Sequence, residues 1–498
     1  MDQSNDGVKV LNSNSVPKPI KISPNPAKEL FRERMTLPQN ELILSQISKP
    51  WTIIKRIVGL VIVTYLLSNS ILMIFFGIYL GELDGMIISY LGLFCSLPLL
   101  FIFFWIRRPR LIHIQLAIPN ENGKKTHILP NNETLVTPVP TKFSHHLVKD
   151  SGLLDLPPSK NLWLIFSSVL VFSIMIFIAL LNNPSELIIL ITVIFAIPAW
   201  LIGFSIPVFA WWSYSARNLN MPTTSYRAES ALVAGLICTI PALIINTSAD
   251  IYLSEIIELN SAVSQMIILA LVAPIGEELC KLGAIWWCKE FIDSPRKGFE
   301  IGFTVGLGFA ILENLQYIAI SWTGGPLSFT LTSLIRAIGS IPGHAFWTGL
   351  TGIGFAWFIL KGKKDLNSLE ENNADNKWQL IDSKTNEIIE TTIENEDRSR
   401  ELDENNELFY KKEDSPDLFE INSKLPHSLQ IGLIMAIIGH SFWNGSSFLV
   451  DYILKITTTN VIISTISSLF WIILLISGLL LIGKFILENV RLLPDKMV

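Results

Sequence analysis

The chain has 498 residues, of which 50% are hydrophobic and only 16% charged, with a formal net charge of −5. A soluble globular domain carries about 25% charged residues. Here the charges collect in tails and loops between long apolar stretches, which excludes an ordinary soluble fold, and with no basic face or stripe no nucleic-acid partner is expected.

Residues 1–50 are polar, with a proline-rich patch from Pro17 to Pro26, and read as a disordered cytosolic tail. A cleavable leader is not expected, because about 50 polar residues precede the first apolar run. A four-helix membrane region follows over 51–228, with spans at Arg56–Leu80, Gly85–Ile106, Asn161–Leu181 and Ser185–Trp212. Each reaches the roughly 20 residues a helix needs to cross a bilayer. Between the second and third spans, loop 107–160 alternates Ile112, Ile114, Leu116 and Ile118, then Asn122-Gly123, then Ile128 and Leu129. That alternation predicts a small cytosolic β-hairpin. A first part of the functional core covers 229–360, with spans Glu229–Ala249, Ala262–Cys288, Gly298–Ile320 and Phe329–Leu360, the last kinked by Pro342. Residues 361–427 form an acidic insertion: Asp365 to Glu420 holds 18 acidic against 6 basic residues, a composition that predicts a flexible cytosolic tether. The core resumes over 428–498 with spans Ser428–Ile453 and Val461–Lys484.

The expected fold is therefore an all-α polytopic membrane protein of about ten transmembrane helices. Lys and Arg mark every second loop: Lys55 and Arg56, Arg107 and Arg108, Arg217 and Arg227, Lys289 and Lys297, Lys361 and Lys363, then Lys484 and Arg491. The intervening loops are neutral or acidic, so both termini are expected in the cytosol. The plasma membrane is the expected location and the lipid bilayer the first partner. The four cysteines (Cys95, Cys238, Cys280 and Cys288) all lie in apolar segments and are expected as small buried side chains.

The first four spans hold no ionisable residue in their centres. The sixth to ninth hold Glu277, Glu278, Lys281, Glu313, Arg336, His344 and His440. A charge at the bilayer centre costs on the order of 2.5–3.5 kcal/mol even on the mildest scale, so this concentration needs a reason. Glu277, Glu313, His344 and His440 lie at similar depths on four different helices, which predicts that they converge on one hydrated cavity. Glu277 and Lys281, Glu313 and Tyr317, and His440 and Asn444 are each i, i+4 and share a face. Carboxylates, imidazoles and an amide are what hydrolysis by an activated water requires. The same residue types (Glu278, Glu313, His344 and His440) could hold a divalent metal such as Zn2+. Taken singly, the groups have plainer readings: an ion pair for Glu277 and Lys281, an interhelical hydrogen bond for His344, packing for Tyr317, snorkelling for Arg336.

Glu277-Glu278-x-x-Lys281, Phe309-x-x-x-Glu313-Asn314, His344 and His440-x-x-x-Asn444 resemble the PrsW family of intramembrane proteases, part of a wider group with the type II CAAX prenyl proteases and Abi (CPBP) proteins. The similarity runs from about Glu229 to Ile453, interrupted by the acidic insertion. It implies that Glu277 and Glu278 hold the catalytic centre, with Lys281, Glu313, His344 and His440 contributing and Asn444 supporting. It also implies a membrane-anchored protein as substrate. Glu313 stands where the prenyl-protease branch has histidine, which favours the PrsW branch. A non-catalytic scaffold or chaperone for other membrane proteins is the alternative, and an ion transporter a third reading, without a visible inverted repeat. No His-Glu-x-x-His, Gly-x-Ser-Gly or Gly-x-Gly-Asp points to another intramembrane protease class.

Overall fold

The computed structural model describes residues 50–108, 111–128, 134–149, 152–219, 221, 223–373, 380–381, 388–389 and 424–493. The N-terminal tail and most of the acidic insertion, both expected to be disordered, lie outside the described residues. The elements are α1 (Pro50–Leu80), α2 (Leu83–Ile106), β1 (Leu111–Ile128), β2 (Thr134–Lys149), α3 (Ser159–Asn182), α4 (Glu186–Leu219) and α5 (Ser225–Ile251). Then come α6 (Ser261–Ile267), α7 (Ala273–Trp287), α8 (Pro295–Ser321), α9 (Gly325–Ile335), α10 (Ile341–Asn373), a two-residue pair of strands at Leu380–Ile381 and Ile388–Ile389, α11 (Leu429–Thr457) and α12 (Val461–Val490).

Among the described residues, nine helical segments are long and apolar enough to cross a membrane. One of them is continuous over Pro295–Lys361, 67 residues, which drawn straight would measure about 100 Å against a hydrocarbon core of about 30 Å. It is folded back on itself. The chain reverses at Gly325, whose φ of +81° suits glycine, and α10 returns along α8. Gly302 lies against the Thr348 carbonyl and Gly306 against the His344 carbonyl, so that added Cβ atoms would sit 2.4 Å from each oxygen. As one partner number rises by four the other falls by four, which is an antiparallel register. Counting both arms gives ten passes, as the hydropathy pattern predicts.

Two of the motif-bearing helices begin in the same way. A π-helical turn at Ile268–Val272 precedes α7, with Pro274 at its start, and another at Arg336–Ser340 precedes α10, with Pro342 second in that helix. Proline has no N–H to donate and its ring crowds the carbonyl four residues back. The helix opens to a wider turn just before it, as π turns at functional positions do. The kink expected at Pro342 therefore takes this form.

The expected hairpin forms, with Asn122-Gly123 inside its first strand. β1 and β2 pair antiparallel from Leu111↔Lys149 to Pro119↔Thr141; the register then shifts and resumes at Thr126↔Val136 to Ile128↔Thr134. Asn122-Gly123 lies within the irregular stretch of β1, where Asn120 Oδ1 accepts from the Asn122 amide at 2.9 Å. A Cβ on Gly123 would meet the Thr141 backbone at 2.5 Å. The glycine here permits a close strand approach at a bulge rather than a turn.

One apolar core joins both halves of the chain, from Ile57 and Leu60 on α1 and Phe204 and Phe209 on α4 to Phe303 and Leu307 on α8 and Phe346 on α10. At one end of the bundle the helix termini are tied by polar contacts. Arg56 pairs with Glu229 at 3.2 Å, Lys297 with Glu300 at 2.6 Å and with Thr223 at 2.8 Å, and Arg491 donates to the Asn218 carbonyl at 3.0 Å. The starts of α1, α5 and α8 and the ends of α4 and α12 thus share one layer. Of the basic residues in the alternating loops, Arg56, Arg217, Lys297 and Arg491 make their contacts in this layer.

The α8–α10 approach is close enough to test. Gly306→Ala is expected to destabilise the protein by about 1–3 kcal/mol, because backbone must shift to admit the methyl group. Gly283→Ala, where an added Cβ meets nothing within 4 Å, should leave the thermal unfolding midpoint in detergent unchanged.

Candidate active site

Three of the clustered groups come from α7. Its i, i+3 and i, i+4 spacing turns Glu277, Glu278 and Lys281 to the interior, where their exposures are 6%, 0% and 0%. An ammonium group without water must find acceptors. Lys281 Nζ donates to Glu278 Oε1 at 2.7 Å and to His344 Nδ1 at 2.9 Å. It also lies 4.1 Å over the Phe309 ring, a cation–π contact. Glu277, the i+4 partner, is farther away, with Oε2 at 3.8 Å.

The imidazoles follow from these contacts. His344 accepts the lysine proton at Nδ1, so its proton is on Nε2, which donates to Glu313 Oε2 at 2.8 Å. Glu313 Oε2 also accepts from Arg336 Nη2 at 2.6 Å, while Arg336 Nε donates to Asn314 Oδ1 and the guanidinium lies 4.1 Å over the Tyr317 ring. On α11, His440 donates from Nδ1 to Glu278 Oε1 at 3.1 Å. That leaves the Nε2 lone pair facing Glu277 Oε2 at 3.7 Å. The His440 ring is stacked on Trp347, centroids 5.0 Å apart and planes within 17°, and stands perpendicular to the His344 ring at 4.8 Å.

The result is an alternating chain: His440, Glu278, Lys281, His344, Glu313, Arg336. It contains three carboxylates, counting Glu277, against two cations, so its formal charge is −1 with both imidazoles neutral. The surplus falls on Glu277. Its Oε1 accepts from Asn246 Nδ2 at 3.2 Å, but its buried Oε2 has no hydrogen-bond partner among the described residues. An ionised oxygen in that position needs a proton, a water or a cation.

The donor chemistry fits a divalent ion. Ligand atoms of Glu277, His344 and His440 all lie within 4.8 Å of one another. Two oxygen or nitrogen ligands of one tetrahedral Zn2+, each about 2.0–2.2 Å from it, are about 3.4 Å apart, close to the gap between Glu277 Oε2 and His440 Nε2. Glu278 orients His440 from the other ring nitrogen, the usual carboxylate support for a metal-binding histidine. His344 could join only by releasing Lys281 or Glu313. This set differs from the one the sequence suggests. Glu278 Oε1 is shared by Lys281 and His440, and Glu313 Oε2 by His344 and Arg336, and Glu277 is the carboxylate that groups with both histidines.

The structure brings Glu277, Glu278, Lys281, Glu313, His344 and His440 together. Asn444, one turn beyond His440 and half-buried, makes no hydrogen bond to them among the described residues. Arg336, read from its depth as a snorkelling side chain, is instead paired inward; the π turn that carries it is a backbone feature periodicity does not encode. Asn246 on α5 was missed, and an amide between Ile245 and Thr247 in an otherwise apolar stretch is the signal that could have found it.

No curated protein and no solved structure matches the chain. His440 and Asn444 lie beyond the segment a family model covers. Residues 226–369 match the family described as PrsW family intramembrane metalloprotease, so the resemblance read from the motifs holds over the stretch that carries Glu277, Glu278, Lys281, Glu313 and His344.

Proposed function

We propose that the protein is an intramembrane peptidase of the cell membrane, hydrolysing a peptide bond in or near the bilayer of a membrane-anchored protein. The observation that carries this reading is the buried Glu277 Oε2, which has no hydrogen-bond partner among the described residues and faces the lone pair of His440 Nε2 at 3.7 Å. A scaffold gains nothing from such an oxygen, whereas a hydrolase needs an acceptor within reach of a water proton.

In this reading Glu277 takes a proton from water as the water oxygen bonds to the scissile carbonyl carbon. It returns that proton to the amine nitrogen as the C–N bond breaks. His440 orients the water through Nε2, and Glu278 fixes the tautomer that leaves Nε2 free. Lys281 donates to Glu278 and keeps His344 turned toward Glu313. Glu313 and Arg336 anchor the far end of the chain, and Trp347 fixes the plane of the His440 ring. A divalent ion held by Glu277 and His440, with His344 if it releases a partner, would supply Lewis-acid polarisation of the carbonyl and a more acidic water. With Oε2 spent on an ion, proton acceptance would pass from Glu277 to another group, so the two roles are distinguishable.

Glu277→Gln is expected to lower cleavage of a membrane-peptide library by at least about 10²-fold, the weight of a general base, while thermal stability and insertion are retained. Wild-type rates in that variant would place the chemistry elsewhere. Glu278→Gln should reduce activity and stability together, because it leaves Lys281 buried beside one fewer anion, a loss of about 3–5 kcal/mol.

Zn2+ added to metal-free protein is expected to bind at about one ion per chain, by elemental analysis after desalting. Glu277→Gln and His440→Ala should each remove that binding. Full cleavage by metal-free protein would assign Glu277 to direct proton transfer.

A further inference from the structure

Away from the polar cluster, a cleft of about 240 Å³ opens between α3, α4 and α12, over α10. Its lining is Trp163, Trp211, Tyr214, Phe346, Leu480, Lys484 and Leu487. Phe346 and Leu487 are buried and form the floor, while Lys484 has 76% of its side chain exposed at the mouth. We propose that this cleft is a binding site for a phospholipid with an anionic headgroup, in the leaflet facing the basic end of the bundle.

The aromatic walls are fixed. Trp211 meets Trp163 edge to face at 6.1 Å, Tyr214 at 5.8 Å and Phe346 at 6.3 Å. Its indole N–H is spent on the Ala337 carbonyl at 2.8 Å. The donors at the rim are not spent. Tyr214 Oη, Trp163 Nε1 and Lys484 Nζ make no hydrogen bond among the described residues, and the nearest anion to Lys484, Glu488 Oε1, is 3.9 Å away. Three donors, of which only the Tyr214 hydroxyl can also accept, and no carboxylate in the lining favour an acidic, acceptor-rich ligand.

Size and depth narrow the class. The volume is below the roughly 300–1,000 Å³ that encloses a small molecule, so the cleft suits one part of a longer ligand whose remainder lies in the bilayer. Lys484 is six residues before the end of α12, Trp163 four residues into α3 and Tyr214 five residues before the end of α4. At 1.5 Å per residue these positions are about 6–9 Å inside the helix ends, the level at which tryptophan, tyrosine and lysine meet phosphate and glycerol.

The cleft also backs onto the candidate active site. Phe346 is two residues from His344 and next to Trp347, and the carbonyl bound by Trp211 belongs to the π turn carrying Arg336. A lipid seated there would press on the segment that orients both.

Native mass spectrometry of the full chain, delipidated and then titrated with phosphatidylglycerol or phosphatidylcholine, tests the proposal. The expected result is one retained phosphatidylglycerol held more tightly than phosphatidylcholine. Lys484→Ala should weaken it about fivefold, the weight of one basic residue at an anionic surface, and Lys484→Arg should restore it. Inorganic phosphate in excess should not displace it. Equal retention of the two lipids, or phosphatidylglycerol retention unchanged in Lys484→Ala, would overturn the headgroup assignment. Displacement by phosphate would reduce the site to an anion site without a lipid.

Discussion

The rest of the core is organised around one fully buried ammonium group. Lys281 has no exposed surface, and a cation in an apolar bundle is tolerable only if anions and lone pairs surround it. Glu278 from its own helix and His344 from α10 meet that need, and each is then constrained in turn. Glu278 is shared with His440 on α11, and His344 donates from Nε2 to Glu313 on α8. Four helices are held in register by one continuous chain of charge-assisted hydrogen bonds. Glu277 sits at the edge of that chain: Asn246 donates to its Oε1, and its Oε2 lies 3.8 Å from Lys281 and 3.7 Å from His440 with no hydrogen-bond partner among the described residues.

The chain of contacts needs backbones closer than ordinary side chains allow. α8 and α10 approach until glycine faces a carbonyl, so that the Glu313 carboxylate reaches a histidine on the antiparallel neighbour. The π turns ahead of Pro274 and Pro342 place an extra residue in the helix just before each motif. The second of them directs Arg336 inward to Glu313 and Asn314 instead of leaving it at the lipid surface. Glycine, proline and the buried charges thus act together: the first two set the helix positions, and the last make those positions energetically specific.

A second ionic knot lies at the basic end of the bundle, where Lys297, Glu300 and Thr223 satisfy one another within 2.5–2.8 Å. Among the described residues it has no buried oxygen without a hydrogen-bond partner, unlike Glu277 Oε2, and it joins the start of α8 to the turn before α5. Its role is to fix where α8 begins, and through that the depth of Glu313. The distinction between the two clusters is one of saturation. A network with every acceptor filled holds helices together, and one with an acceptor left over can act on something else.

Much of this was legible in the sequence. Ten passes, the hairpin before α3, and the level at which Glu277, Glu313, His344 and His440 sit all follow from hydropathy and helical rise, which are properties of contiguous segments. The motifs also identified which residues would meet. Only the tertiary structure decided how they pair: that Glu278 is shared by Lys281 and His440, that Glu313 is shared by His344 and Arg336, and that Asn246 donates to Glu277. It likewise put Asn122-Gly123 at a bulge within the first strand of the hairpin and gathered Trp163, Trp211, Tyr214 and Lys484 around one cleft. Pairing depends on the rotation and separation of helices distant in sequence. Those are set by close packing at glycine and by wider turns before proline, neither of which a hydropathy pattern records.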